Sequence, residues 1–439
     1  MATDVRDGGK DRRVTTIFAV SSGLPPAAIA ILRISGPMAF AAATALAGSL
    51  PPARRAGLRA LRDAGGRLLD RALVLVFPGP DSATGEDLVE LHVHGGRAVV
   101  AACERSLAAI PGLTPAEAGA FTRRAVLNGR MDLTQAEGLG DLLQAETESQ
   151  RAMAVATTEG RVSHAVGEWT NRAMGLAAQL EAQLDFADED DVGGASDTMA
   201  VAAAMTVLAD EMAAVLAQPP IERLRDGVRV VLAGPPNAGK STLLNLMVER
   251  EAAIVSPIAG TTRDVIETAV VRDGIAYRVS DTAGLAVATD DAIEAMGIAR
   301  ARDVIDTADI VLWLGDDTPP TIDALWLHAR ADLPTRSTVP AQRVLAVRRD
   351  RPETINALWT LIATAARTRL PSTGAVALNR RQRQLVADAE AMLRVGTVED
   401  PLVVSEHLRT AIRAFSAITG RDATEAMLDN LFGQFCIGK

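Results

Sequence analysis

The first part of the chain alternates short apolar runs with turn residues. Val14–Val20, Ile29–Ser35 and Arg71–Phe77 are rich in β-branched and large aliphatic residues and are bounded by proline and glycine. This pattern is typical of strands. Helical and turn-like stretches separate the three runs, so the pattern predicts a mixed α+β domain over residues 1–128.

A helical pattern begins after residue 128. In stretches such as MGLAAQLEAQLDF (residues 174–186), apolar residues recur at intervals of three and four, which indicates amphipathic helices. The same pattern returns after about residue 370 in NRRQRQLVADAEAML and SEHLRTAIRAFSAIT. The sequence therefore predicts one helical domain made of two separate segments, 129–225 and 370–439.

Between these two segments, buried-strand patterns alternate with helical ones. The apolar runs are VRVVLAG, AYRVSDTAG, DIVLWLGDD and QRVLAVRRD. Strands that alternate with helices predict a parallel sheet with crossover connections. We therefore predict an α/β domain over residues 226–369, inserted into the helical domain.

Length, composition and charge exclude several classes of protein. A chain of 439 residues is long enough for about three domains, and 3% aromatic residues imply aliphatic, alanine-rich cores. The formal net charge of -10 argues against coating nucleic acid through bulk electrostatics, although a local basic patch stays possible. Two cysteines, Cys103 and Cys436, cannot form a disulfide framework, which indicates a reducing compartment. No apolar run approaches the length of a membrane span, and we expect a cytoplasmic protein.

One glycine-rich segment points to phosphate chemistry. Gly234-Pro-Pro-Asn-Ala-Gly-Lys240-Ser241 matches the P-loop pattern at every fixed position, after an apolar strand and before a helix. In such a loop, backbone N–H groups surround phosphate oxygens, Lys240 reaches the β and γ phosphates and Ser241 ligates Mg²⁺. Lys240 is also one of only three lysines in the chain.

Two later strings complete a nucleotide site. Asp281 ends a predicted strand in Asp281-Thr-Ala-Gly284, where an aspartate can hold magnesium through water and a glycine amide can sense the γ-phosphate. The string 260–264, Gly-Thr-Thr-Arg-Asp, provides a threonine that would close on the metal. The predicted nucleotide-binding residues are Asn237, Ala238, Gly239, Lys240, Ser241, Thr242, Ser256, Thr261, Thr262, Asp281 and Gly284.

The order of motifs along the chain resembles that of a known family. PPNAGKSTLLN, IVSPIAGTTRD and DTAGL resemble the TrmE–Era branch of GTPases, and ILRISGP, TGEDLVELHVHGG, LNGRMDLTQAEGL and the final FCIGK narrow the resemblance. Together they resemble the MnmE (TrmE) family of tRNA-modification GTPases, from about Val14 to Lys439. The resemblance implies a homodimer with an N-terminal folate-binding domain, a discontinuous helical domain and an inserted GTPase domain.

The resemblance also implies a reaction. With a flavin-containing partner, MnmG (GidA), members of the family modify carbon 5 of the wobble uridine in certain tRNAs. The one-carbon unit comes from 5-formyl- or methylene-tetrahydrofolate. The matching folate contacts in this chain are Arg33, Glu90, Arg130 and Lys439. Arginines suit the carboxylates of a glutamate tail, and a carboxylate suits the N–H edge of a pterin.

Cys436 is the family's near-terminal thiol. The resemblance links it to the modification chemistry, and a thiolate is a competent nucleophile where its pKa is lowered. The alternative is a small buried residue in a packed tail. Cys103 lies in an apolar helical run and is expected in a core.

The resemblance implies hydrolysis that depends on potassium and on the meeting of two GTPase domains. Asn237 matches the potassium ligand, and Ser256, Ile258 and Thr261 would contribute further oxygens. Magnesium would be held by Ser241 and Thr262.

The nucleophilic water in this family is positioned by a glutamate. Leu285, directly after the aspartate motif, cannot orient water. The resemblance therefore implies Glu294 for this role, with Asp290 and Asp291 as competing candidates.

The expected base-recognition motif is absent in its usual form. Guanine selectivity in such GTPases depends on an NKxD string after a later strand, whereas VLAV is followed here by Arg348-Arg349-Asp350. Asp350 has the nearest spacing, and the arginine at the lysine position could stack on the base. We therefore expect a phosphate site that works and reduced guanine discrimination.

Two other functions stay open on the sequence alone. One is a regulatory GTPase of the Era type that binds RNA without modifying it, and the other is a scaffold whose GTPase domain no longer cycles. Folate binding by the N-terminal region would exclude the first. Measurable turnover would exclude the second.

Overall fold

The computed structural model describes residues 15–185, 195–248, 267–282, 302–372, 374–394, 400–421, 424–433 and 435–439. Its strands are β1 (Thr16–Val20), β2 (Ile29–Ser35), β3 (Gly57–Arg62), β4 (Leu68–Phe77), β5 (Leu88–His94), β6 (Leu113–Pro115), β7 (Val228–Ala233), β8 (Glu267–Arg272), β9 (Ile275–Asp281), β10 (Ile310–Trp313), β11 (Leu325–His328) and β12 (Leu345–Ala346). The helices discussed below are α1 (Ala39–Ala47), α2 (Arg97–Ala108), α3 (Ala120–Leu127), α4 (Leu133–Gln144), α5 (Glu148–Thr158), α6 (Arg161–Asp185), α7 (Ala195–Leu216), α8 (Glu222–Arg225), α9 (Lys240–Val248), α10 (Pro352–Arg367), α11 (Arg380–Leu393), α12 (Pro401–Thr419) and α13 (Glu425–Phe432).

The chain forms two compact units, and the first joins the N-terminal residues up to Ala136 with Thr419–Lys439. Its six-stranded sheet has the order β3-β4-β5-β2-β1-β6, and only β1 and β6 pair in parallel. Helices α1 and α2 pack on one face, where side chains such as Leu32 and Leu91 are fully buried. Since successive strand residues point to opposite faces, Arg33 and Glu90 belong to the other face.

The strand predictions in this unit hold with small differences. Ile29–Ser35 is β2 as predicted, and Arg71–Phe77 lies within the longer β4. The predicted first strand begins at Thr16 among the described residues. Cys103 is fully buried in the core, where burial raises the pKa of its thiol to about 11. This confirms its expected core position.

The second unit, Glu137–Ile418, contains the inserted α/β sheet. The strand order is β12-β11-β10-β7-β9-β8, with every pair parallel except β8 and β9. Helices α9 and α10 pack on this sheet through residues such as Leu243, Met247, Leu358 and Trp359. The prediction of a parallel sheet is confirmed, but the connection 314–324 between β10 and β11 contains no helix.

The helical part of the second unit is built from chain segments that precede and follow the sheet in the sequence. Trp169 of α6 and Leu208 of α7 share one buried core with Val386 of α11 and Phe415 of α12. Two helices start with complete capping boxes, at Thr147 and at Asn379. The predicted fold class, an N-terminal α+β domain and a discontinuous helical domain with an inserted P-loop domain, is thereby confirmed. The residue boundaries assigned to these domains stay a prediction.

Helix α7 is unusually apolar. The expectation that no apolar run approaches the length of a membrane span was wrong for this helix. Among the described residues, its segment Thr198–Leu216 is the one stretch long and apolar enough to cross a membrane, with a mean hydropathy of 1.7. However, Val201, Met205, Leu208 and Met212 of this helix are buried in the helical core. Length and hydropathy are therefore weak evidence for a membrane span.

The short helix α8 joins the helical part to the central strand β7. The Gln150 side chain donates hydrogen bonds of 3.0 Å to the carbonyl oxygens of Leu224 and Arg225. Asp141 lies 3.9 Å from the Arg225 guanidinium. Burial raises the pKa of the Asp141 carboxyl to about 6, although the Arg225 charge opposes this shift.

We expect Asp141→Asn to stabilise the protein at neutral pH. Because the pKa in the folded protein, about 6, lies above the ordinary value of 3.8, the folded state binds more protons between these values and stability falls as pH rises through them. The substitution should therefore raise the free energy of unfolding by about 3 kcal/mol at pH 7.5 and by little at pH 4. Chemical denaturation at both pH values measures this.

The exposed Asp210, which pairs with Arg394, offers a matched control. Asp210→Asn should shift stability by less than about 1 kcal/mol at either pH. An Asp141→Asn protein that is less stable than the wild type at pH 7.5 would contradict the assignment of a costly buried charge.

Candidate functional site

The P-loop lies at the carboxyl end of β7, the central strand of the parallel sheet, and α9 begins at Lys240. Its backbone takes left-handed conformations, with φ of 146° at Gly234, 61° at Asn237 and 98° at Gly239. Glycine adopts such angles without strain, and asparagine tolerates them better than most residues. A glycine-rich loop that leads into the start of a helix is the arrangement that binds phosphate through backbone N–H groups.

Lys240 is held inside this loop. Its Nζ donates to the carbonyl oxygens of Gly234 at 2.8 Å and Pro235 at 3.0 Å, and the residue is only 6% exposed. Burial lowers the pKa of the Lys240 ammonium, and the nearby Asp281 charge opposes this. The ammonium is therefore poised as a partly desolvated point charge at the predicted phosphate position.

The structure brings the predicted metal residue Ser241 next to Asp281. The Ser241 Oγ donates to Asp281 Oδ2 at 2.6 Å, and Asp281 is nearly buried at the end of β9. Thr282 then turns back to donate to the carbonyl oxygen of Leu232 at 3.1 Å. Hydroxyl and carboxylate oxygens are the ligand types that Mg²⁺ prefers, so these residues fit the predicted ion.

Several predicted residues lie outside the described part of the chain. They are Ser256, Ile258, Thr261, Thr262, Gly284 and Glu294, together with the competing Asp290 and Asp291.

The loop after β11, residues 329–332, contacts the P-loop, and the sequence did not predict this contact. β11 is followed by Ala329-Arg330-Ala331-Asp332, and Arg330 Nη1 donates to the carbonyl oxygen of Asn237 at 2.9 Å. The Arg330 stem also approaches Gly239, where an added β-carbon would lie 3.3 Å from Arg330 Cγ. Arg330 and Asp332 have the spacing of the lysine and aspartate in NKxD.

The base motif was predicted at Arg348–Asp350, and that assignment stays a prediction. Those residues follow β12, one strand farther out, and both Asp350 carboxylate oxygens accept from Arg348, at 3.0 and 2.9 Å. The side chain of Asp350 is 55% exposed. The sequence does contain a pattern that indicates the loop 329–332, namely the apolar run LWLH followed by A-R-A-D. The pattern is hard to recognise because alanine stands where the NKxD motif has asparagine.

In the first unit, two predicted folate residues meet on the face opposite α1 and α2. Arg33 Nη2 donates to Glu90 Oε1 at 2.8 Å, and His92 Nε2 lies 3.2 Å from Glu90 Oε2. The Arg33 guanidinium also stands over the Phe121 ring, 5.7 Å from its centroid. Burial opposes ionisation of Glu90, but the bonds from Arg33 and His92 lower the pKa of its carboxyl overall. Strand register alone places them together, since Arg33 pairs with Glu90.

The C-terminal tail, residues 435–439, docks beside this pair. Phe121 N–H donates to the Lys439 carbonyl oxygen at 3.1 Å, and Ser21 Oγ donates to the Gly438 carbonyl oxygen at 2.7 Å. Ala118 and Ile437 form an antiparallel bridge. Gly438 has a φ of 91°, and a β-carbon there would overlap the Val20 carbonyl oxygen.

Cys436 lies in the docked tail, where its carbonyl oxygen accepts from Gly119 N–H at 3.4 Å. The residue is exposed and its thiol is free. The alternative of a buried packing residue is therefore wrong. Its role in the chemistry stays a prediction.

Arg130 lies elsewhere in the same unit. Its guanidinium is 3.7 Å from Asp81, and both side chains are well exposed. Nearby, a cavity of about 910 Å³ opens between α3, α13 and the edge strand β6, and Asn128 and Arg124 are among its lining residues. Arg33, Glu90 and Arg130 are not among the residues that line it.

The fold and the loop geometry define a P-loop nucleotide-binding protein with an added α+β unit and a discontinuous helical domain. Comparison with known proteins specifies the family. Residues 133–436 match the family described as MnmE helical domain, and residues 16–130 match GTP-binding protein TrmE N-terminus. The chain belongs to the MnmE (TrmE) family.

Similar proteins cover nearly the whole chain. A protein of Erythrobacter litoralis named tRNA modification GTPase MnmE is 55% identical over 97% of this chain and 100% of its own length. One of the same name from Rhizorhabdus wittichii is 52% identical over 97% and 96%. A solved structure of Aquifex aeolicus Era bound to GDP and AlF4 is 20% identical, covers 40% of this chain and 70% of its own, and has a TM-score of 0.20. That score is too low to support an inference.

Proposed function

We propose that this protein hydrolyses GTP and acts in tRNA modification. The observation that carries the proposal is the buried Lys240 inside a P-loop whose Ser241 meets Asp281 at 2.6 Å. Membership of the MnmE family supports the tRNA substrate, since relatives that match the chain over nearly its full length are named tRNA modification GTPases.

The protein's own groups account for phosphate binding. Lys240 places a positive charge on the β and γ phosphates, and backbone N–H groups from 237 to 242 surround their oxygens. Ser241 and Thr262 would hold Mg²⁺, with Asp281 acting through water. When bound, the ion neutralises charge on the β and γ phosphate oxygens. These groups stabilise charge that develops during phosphoryl transfer, which is the main requirement of this reaction.

The base would be read by the loop 329–332. We assign Asp332 to the guanine N1 and N2 groups, and Arg330 to the contact that holds this loop on Asn237 of the P-loop. A carboxylate that accepts two N–H bonds distinguishes guanine from adenine, because adenine would leave both acceptors unpaired. This replaces the expectation of reduced guanine discrimination, which rested on Asp350.

Hydrolysis is proposed to depend on potassium and on contact between two GTPase domains of a homodimer. Asn237 would contribute to the potassium site together with Ser256, Ile258 and Thr261, and Glu294 would position the attacking water. A monovalent cation there places positive charge where other GTPases receive an arginine.

We expect GTP hydrolysis to be at least about tenfold faster in potassium than in sodium at equal ionic strength, because the smaller ion would not satisfy the same oxygens. Phosphate release in the two salts measures this. Asn237→Ala should abolish the difference. Equal wild-type rates would remove the role given to Asn237.

The N-terminal unit is proposed to bind 5-formyl- or methylene-tetrahydrofolate. Arg33 and Glu90 lie 2.8 Å apart next to an aromatic ring, with the tail residues Cys436 and Lys439 docked alongside. A carboxylate, a guanidinium and an aromatic face suit a pterin and its glutamate tail. Arg130 would contribute from its separate position. When bound, the folate supplies the one-carbon unit.

The complete proposed reaction is aminomethylation or carboxymethylaminomethylation of carbon 5 of the wobble uridine, with the flavoprotein MnmG (GidA) as partner in the cytoplasm. Nucleoside analysis of tRNA from a strain that lacks this chain tests it, and the modified wobble uridines should disappear. Unchanged nucleosides would favour an Era-type regulator. A restored modification with a Lys240→Ala chain would favour the scaffold.

A further inference from the structure

The loop 329–332 lacks the polar side chain that usually fixes such a loop. Ala329 stands at the asparagine position and offers only its backbone. Its carbonyl oxygen accepts from Arg336 Nε at 3.0 Å, while the Arg336 carbonyl oxygen lies 2.8 Å from His328 Nε2. Arg336 therefore contacts the chain on both sides of the point where β11 ends and the loop begins.

The remaining nitrogens of Arg336 bind one carboxylate. Nη1 donates to Asp316 Oδ2 at 2.9 Å and Nη2 donates to Asp316 Oδ1 at 2.8 Å. These bonds lower the pKa of the Asp316 carboxyl. A planar guanidinium holds its donors on three separate nitrogens, so it can reach Ala329 and both Asp316 oxygens at once, whereas the three donors of an ammonium share one nitrogen. The loop 329–332 is thus tied to the segment that follows β10.

That segment is itself anchored. Arg343 donates to the carbonyl oxygens of Gly315 at 3.0 Å and Asp316 at 3.1 Å, and its guanidinium stacks 3.9 Å from the Trp326 ring centroid. Gly315 also lies against the P-loop, since a β-carbon at Gly234 would be 3.1 Å from its nitrogen. The connection 314–324 contains no helix, so these arginine contacts provide the support that a packed crossover helix would give.

We propose that Asp316 and Arg336 are positioning residues that hold the loop 329–332 in the conformation that selects the base. The inference rests on the proposed GTP binding and on the assignment of Asp332 to the guanine edge. Neither residue needs to contact the nucleotide, because both act through the backbone of Ala329.

The exposure of the pair distinguishes this role from simple stabilisation. The Asp316 side chain is 67% exposed and that of Arg336 is 26% exposed. Exposed ion pairs contribute little to folding stability. The main effect of breaking this one is therefore expected in base preference, with melting temperature nearly unchanged.

The experiment compares the full-length wild type with Arg336→Ala, Arg336→Lys and Asp316→Asn. Competition against labelled GDP gives the affinities for GDP, ADP and inorganic tripolyphosphate. The wild type should prefer GDP over ADP by more than about 100-fold, since the Asp332 carboxylate would accept two hydrogen bonds from guanine and none from adenine. Arg336→Ala should lower that ratio at least about tenfold and leave tripolyphosphate affinity within about twofold. Asp316→Asn should lower the ratio by less, and Arg336→Lys should not restore it, because lysine cannot bind Ala329 and both Asp316 oxygens together.

Asp317→Asn is the matched control, since Asp317 is the exposed neighbour of Asp316 and uses its backbone carbonyl to accept from Trp313. It should leave the GDP to ADP ratio unchanged. An unchanged ratio in Arg336→Ala, or equal losses of GDP, ADP and tripolyphosphate affinity with a fall in melting temperature, would overturn the positioning role. A wild type without guanine preference would overturn both the Asp332 assignment and this inference, and a wild type that binds no nucleotide would overturn the proposed function itself.

Discussion

Lys240→Ala should lower the rate of GTP hydrolysis by at least about 100-fold, the size of effect seen when one charged or preorganised donor is lost at a reacting phosphate or acyl group. Lys240 is 6% exposed, and its Nζ is held by two P-loop carbonyls. No other lysine lies in the inserted domain. Phosphate release at saturating GTP, magnesium and potassium measures the change.

Lys240→Arg should not rescue the activity. The guanidinium is larger and planar, and a nearly buried site shaped around a compact ammonium cannot accommodate it in the same place. Thr360→Ala, on the exposed side of α10, is a control from the same domain that should keep wild-type turnover. Hydrolysis by Lys240→Ala within threefold of the wild type would contradict the role of Lys240.

Gly438→Ala should release the C-terminal tail from the first unit. The backbone at Gly438 is left-handed, with a φ of 91°, and a β-carbon would overlap the Val20 carbonyl oxygen. The left-handed conformation alone costs a residue with a β-carbon about 1–2 kcal/mol, and the overlap with backbone adds to this. Amide hydrogen exchange at Phe121, whose N–H donates to the Lys439 carbonyl oxygen, should therefore accelerate at least about tenfold.

Tail release also has a functional consequence under the proposed folate site. Since the tail docks beside Arg33 and Phe121, Gly438→Ala should weaken tetrahydrofolate binding while GTP hydrolysis persists. Ile437→Ala is the matched control, because Ile437 pairs through its backbone and its side chain is 66% exposed. Unchanged exchange at Phe121 in Gly438→Ala would show that the tail is not held by this contact.

The sequence predicts a functional feature well when one contiguous segment contains all of its residues. A P-loop is eight consecutive residues whose backbone angles and helix start are fixed by their own glycines, so its position and the neighbouring strand could be predicted directly. The parallel sheet and the returning helical pattern were predictable for the same reason. Hydrophobic periodicity reports which side of each element is buried.

The sequence predicts a feature poorly when its position depends on the order of strands in the sheet. The base-recognition loop was placed after β12, whereas the loop in contact with the P-loop follows β11. Both strands are short and apolar and both precede an arginine and an aspartate. Only the order β12-β11-β10-β7 shows which of the two lies nearer the phosphate site.

The sequence by itself determined the phosphate-binding loop, the fold class and the family, because each is encoded in contiguous residues or in their period. The tertiary structure decided which distant residues act together. Gly438 meets Val20, and Arg336 meets both Asp316 and Ala329. These contacts join segments separated in the chain, and their energies depend on distances and backbone angles that no single segment specifies. For that reason the support of the base loop and the docking of the tail could be found only in the folded protein.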